Sequence, residues 1–96
     1  MPCSTPVIFL IFRRPDLTAQ VFEAIRLAQP TKLLVVADGP RKEEESVLCR
    51  QAREVTEQVD WDCEVFRNYS DVNLGCRKRV SSGISWAFEQ VEEAII

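Results

Sequence analysis

The stretch Leu33–Pro40, LLVVADGP, runs five apolar residues into an acid, a glycine and a proline. An apolar run this short and this rich in valine reads as a strand buried on both faces. Asp38-Gly39 then marks its end. A carboxylate at a buried strand's tip has two readings. It serves the turn into the next element, or it accepts a hydrogen bond from a ligand's ring N–H or ribose hydroxyl.

Outward from this strand, the text alternates. Towards the N-terminus, PVIFLIF (Pro6–Phe12) is a second buried strand. Between the two lies RPDLTAQVFEAIRLAQ, whose Leu17, Val21, Ala24, Ile25 and Ala28 recur at helical spacing. Pro15 suits its first turn and Pro30 ends it. Towards the C-terminus, Pro40–Val59 reads as a helix with Leu48, Ala52, Val55 and Val59 on one face, and Glu43-Glu44-Glu45 as its acidic first turn. Asp62–Phe66, opened by Trp61, reads as a short third strand, and Arg67–Gly75 as a loop. Cys76 to Glu92 reads as a third amphipathic helix through Val80, Ile84, Ala87, Phe88 and Val91, and EEAII begins a fourth strand. Both tryptophans, Trp61 and Trp86, are expected to pack in the core.

This β-α-β-α-β-α-β pattern predicts a three-layer α/β domain with a mostly parallel sheet. Right-handed crossovers favour strand order 3-2-1-4, half of a doubly wound, Rossmann-like fold. Ligands of such sheets bind outside the carboxyl ends of the strands, where the order reverses. The residues at those ends are Arg13 and Arg14, Asp38 and Gly39, and Arg67 and Asn68. Arg77-Lys78-Arg79 opens the third helix at the same edge. Cations there oppose the helix dipole, which a bound diphosphate would reverse, or they form a solvated charged turn.

Composition narrows the function classes. Ninety-six residues make one domain. With 46% hydrophobic and 28% charged residues the chain is globular. A net charge of −3 argues against nucleic acid as a partner. The longest apolar run, Val7–Phe12, is far short of the roughly 20 residues of a membrane span. MPCSTP lacks the basic and apolar regions of a signal peptide, so a cytoplasmic protein without membrane insertion is expected. Cys3, Cys49, Cys63 and Cys76 form no C-x-x-C pair and there is no histidine, which argues against a zinc site and for buried thiols in a reducing compartment. The chain has no G-x-G-x-x-G after its first strand, no P-loop and no G-x-S-x-G.

Four stretches in order, PVIFLIFRRPDLTAQVFEAI, LLVVADGP, NLGCRKRVSSGISWAFEQ and EEAII, resemble the opening half of a GT-A glycosyltransferase. The likeness is to family 2 enzymes and the N-acetylglucosaminyltransferase I group, and especially to bacterial proteins labelled "hemolytic protein HlpA-like". The resemblance implies a nucleotide-sugar-binding domain, with a UDP-sugar donor and transfer to a hydroxyl acceptor. It implies nucleotide contacts by Asp38, Gly39, Arg79, Arg14, Asn73 and Gly75. Arg13 stands where the family has Asn, and Ala37-Asp38-Gly39-Pro40 keeps one acid of the family's Asp-Asp-Gly-Ser. The family's Mn²⁺- or Mg²⁺-binding D-x-D motif and its catalytic base would follow EEAII. The chain is therefore expected to be a truncated half that binds no metal, contains no catalytic residue and is inactive alone. The different-class alternative is a small α/β interaction domain without catalysis. An apolar, incompletely paired sheet edge would make either prone to self-association. Nothing in the sequence supports membrane lysis.

Overall fold

The computed structural model describes residues 5–96. Three strands, β1 (Val7–Ile11), β2 (Lys32–Ala37) and β3 (Glu64–Tyr69), form a parallel sheet in the order β1-β2-β3. Three helices alternate with them: α1 (Pro15–Ala28), α2 (Ser46–Thr56) and α3 (Cys76–Gln90). The LLVVA run is the central strand. Both its edges are paired and both its faces are covered, which is why it has no polar alternation.

The strands' two-residue period divides the core. Phe9, Ile11, Leu33, Val35 and Ala37 meet Phe22 and Ile25 of α1 and Ala52 of α2. Ile8, Leu34 and Val36 face the other way, onto Ala87 of α3. The chain is thus a three-layer α/β unit, with α1 and α2 on one face and α3 on the opposite face. Trp61 closes the first core, 5.8 Å from the Phe22 ring, and its indole N–H donates to the Pro30 carbonyl at 2.8 Å. Trp86 packs against the second.

Several expectations need correction. Each helix's fully buried stripe shares one position with the expected one, Ile25, Ala52 and Ala87, and is otherwise rotated from it. The buried positions are Thr18, Phe22 and Ile25 in α1, Cys49, Ala52 and Thr56 in α2, and Arg79, Gly83 and Ala87 in α3. Leu17, Val21, Leu48 and Phe88 are 40–48% exposed. Small residues sit where helix meets sheet, because they let the backbones approach. The β3 strand starts and ends later than expected, so Arg67 and Asn68 lie inside it. Their side chains find partners at its borders: Arg67 donates to the Thr56 carbonyl, and Asn68 accepts from Arg79. The second helix begins only at Ser46, after a 3₁₀ turn over Glu43–Glu45.

Of the expected fourth strand, the described residues form a single bridge. Ile95 makes an isolated parallel bridge to Val7 on the free edge of β1. Ile8 N–H donates to the Ile95 carbonyl at 2.7 Å and Ile95 N–H to the Pro6 carbonyl at 2.8 Å. The preceding Glu92-Glu93-Ala94 has low strand propensity and breaks the ladder there. Among the described residues, no helix is long and apolar enough to cross a membrane. Cys3 lies outside the described residues. The other three cysteines are free, but only Cys49 is buried as expected; Cys63 is half-buried and Cys76 exposed.

Candidate functional site

A cleft of about 440 Å³ opens at the carboxyl ends of β1 and β2, beside the start of α3. Its wall combines Phe12 and Arg13 after β1, Asp38 and Arg41 after β2, Asn73 and Gly75 before α3, and Arg79 within α3. Four of the six residues singled out from the sequence, Asp38, Asn73, Gly75 and Arg79, therefore meet there. Gly39 lies immediately behind Asp38. Arg14 is not on the cleft wall; it is exposed and its guanidinium faces Asp16 at 3.3 Å.

Asp38 is buried, and its carboxylate organises the loop that leads into α3. One oxygen accepts from Gly39 N–H at 2.9 Å and Leu74 N–H at 3.0 Å, and the other from Asn73 Nδ2 at 3.2 Å. A carboxylate offers about four acceptor positions. The described residues use three of them, which leaves one on the oxygen shared with Asn73. Asn73 also donates to the Gly39 carbonyl at 2.9 Å. The Asp38–Gly39 turn and the 71–74 loop lie backbone against backbone. A Cβ on Gly39 would stand 2.6 Å from the Val72 main chain, so only glycine fits. Gly75 has φ 86°, a conformation glycine adopts without a Cβ penalty, and it directs the chain into α3.

The basic cluster splits. Arg77 and Lys78 are exposed and border a shallow depression at the start of α3 with Ser81 and Ser82. Arg79 turns inward. Its Nε and Nη2 donate to the Ala37 carbonyl at 3.2 and 3.0 Å, and Nη2 also reaches the Asn68 carbonyl at 2.6 Å and Asn68 Oδ1 at 3.0 Å. The guanidinium thus ties the end of β2 to β3. Burial lowers its pKa, an effect that nearby Asp38 opposes. Among the described residues nothing meets Nη1, which is the part of the group left for a ligand.

Two further residues build the site, and the sequence reading passed over both. Glu45 was expected to be one of three acids in the first turn of the second helix. It is instead buried, accepting from Arg41 N–H at 2.9 Å and from the Arg13 guanidinium. The main-chain N–H of Arg41 and then Arg13 hold its carboxyl below the usual carboxylate range, against the opposing effect of desolvation. In the structure Glu45 continues the buried stripe Cys49, Ala52, Thr56 one turn back, a stripe the apolar spacing did not mark. Arg53 donates to the carbonyls of Asp38 and Ser70 at 3.2 and 2.7 Å and stacks 4.7 Å from the Tyr69 ring centre. Nothing in its helical spacing announced that reach.

The donor set for a divalent cation is not assembled here. Among the described residues no three His, Cys, Asp or Glu side chains gather, and the Asp38 carboxylate is surrounded by N–H donors. No family model matches the chain, and neither a curated protein nor a solved structure does.

Proposed function

We propose that the cleft is the donor-nucleotide site of a GT-A-type glycosyltransferase domain, taking a UDP-sugar. In this reading the Val7–Ile95 bridge is the start of a fourth strand, giving the order 3-2-1-4 and placing the reversal of strand order at the cleft. The observation that carries the reading is the open acceptor position of Asp38 on the wall of a cleft at the strands' carboxyl ends. Uracil offers one ring N–H to such an acceptor. The Asn73 amide, already bonded to Asp38, fixes which oxygen is presented. The Nη1 of Arg79 is the nearby donor for the nucleotide's oxygens.

Amide NMR of the whole chain with UDP tests this. UDP should shift Gly39, Asn73, Leu74 and Gly75, and Asp38→Asn should abolish the shifts at a melting temperature that shows the fold retained. UDP that moves no cleft amide in the wild-type chain refutes the reading.

The sheet edge favours a second reading, a non-catalytic interaction domain that self-associates. Among the described residues, the outer edge of β1 has no strand partner beyond the Val7–Ile95 bridge, and Ile95 and Ile96 beside it are 52% and 65% exposed. Sedimentation would show a concentration-dependent dimer that a proline at Leu10, on this edge, disrupts.

A further inference from the structure

We propose that Arg13 and Arg41 form an anion clamp that takes the diphosphate of a nucleotide, with the Glu45 carboxylate as its resident stand-in. The inference deepens the donor-nucleotide reading and rests on it for the identity of the anion.

The cleft is locally positive in a chain of net charge −3: Arg13, Arg41 and Arg79 line it against the single acid Asp38. Those charges are not equally available. Asp38 and Arg79 bond mainly to the protein's own backbone and to asparagine amides. Arg13 and Arg41 are spent far less.

They come from the loops after different strands, yet both guanidinium groups lie over one ring, 5.5 and 6.0 Å from the centre of Phe12. Both also face one carboxylate. Arg13 Nη1 donates to Glu45 Oε2. Arg41 Nε stands 4.0 Å from Glu45 Oε1, beyond hydrogen-bond reach, while the Arg41 main-chain N–H donates to that oxygen. Among the described residues the Arg41 guanidinium therefore makes no hydrogen bond, and its side chain is 55% exposed to the cleft mouth. Two cations share one buried anion, so the group carries an uncompensated positive charge. A guanidinium fork matches phosphate oxygens in bidentate fashion, and aromatic stacking holds it in plane. Glu45 remains ionised at neutral pH, so it competes with an incoming phosphate for Arg13.

Calorimetry on the whole 96-residue chain at low salt, with UDP, uridine and inorganic pyrophosphate as probes, tests the clamp. Arg41→Gln should weaken UDP and pyrophosphate about tenfold and leave uridine unchanged, and Arg41→Lys should lose less. Glu45→Gln should tighten pyrophosphate several-fold, since it removes the competitor; a mere brace for Arg13 would give no gain. Arg77→Gln, on the exposed side of α3, should change nothing. If UDP binds the wild type and the Arg13→Gln and Arg41→Gln variants alike, the clamp is overturned while the nucleotide reading stands. If pyrophosphate binds through Arg41 but uridine and UDP gain nothing from the base, the clamp stands and the nucleotide reading falls. No binding by any probe overturns both.

Discussion

The two faces of the sheet are built on different terms. The α1/α2 face buries large side chains, Phe9, Phe22, Ile25, Leu33 and Val35, and Trp61 closes it from the side. The α3 face has only Ile8, Leu34, Val36 and Ala87 fully inside, with Leu10, Phe66 and Trp86 half-buried around them. The first face is held by volume. The second is held by proximity, because α3 meets β2 through Gly83, where an added Cβ would stand 2.5 Å from a Val36 methyl. It also carries the arginine that reaches the strand ends. The thinner layer is the one beside the cleft, so stability and site are divided between the faces.

Deleting volume from the first face should cost most. Phe22→Ala should destabilise by about 3–5 kcal/mol in urea unfolding, as expected for a ring that is 1% exposed. A loss under 1 kcal/mol would show that this face is not the main core. On the second face, adding volume should do the harm. Gly83→Ala should cost about 1–3 kcal/mol through overpacking, although alanine is the better helix former by about 1 kcal/mol. A stabilised variant would mean that α3 stands further from β2 than described. Trp61→Phe keeps the ring against Phe22 and loses the bond to Pro30, and should cost about 1 kcal/mol.

The smallest effect is electrostatic. Glu45 has a lowered carboxyl pKa in the folded chain. Its contribution is therefore full above the unfolded value near about 4.3 and is lost as pH falls through the lower folded value. The urea midpoint should rise with pH from about 3 to 5. The Glu45→Gln curve should be flatter over that range; equal slopes would remove the carboxylate from the account.

The same division explains what was legible in the sequence. Strand and helix alternation was readable, because LLVVA and VIFLI are unbroken apolar runs and the helices between them are long. The inner stripes of the helices were legible only at Ile25, Ala52 and Ala87, because Thr18, Thr56 and Gly83 allow close approach and carry little apolar weight. The apolar spacing also selected Leu17, Val21 and Phe88, which lie towards solvent, and passed over the buried Phe22. Asp38 and Arg79 could be placed at one edge from topology, and Asn73 and Gly75 were added by the resemblance alone. That Arg79 bonds to two strand ends, and that Glu45 faces Arg13 across 32 positions of sequence, depends on contacts no local pattern encodes.

The Arg79 bridge has one more consequence. By holding the Ala37 and Asn68 carbonyls with one rigid planar group, it sets the end of β2 relative to β3 during folding itself. Whatever enters the cleft finds one wall already assembled. The loss of backbone freedom on that side has been met when the chain folds, leaving side chains such as the half-exposed Arg41 as the groups to be ordered on association.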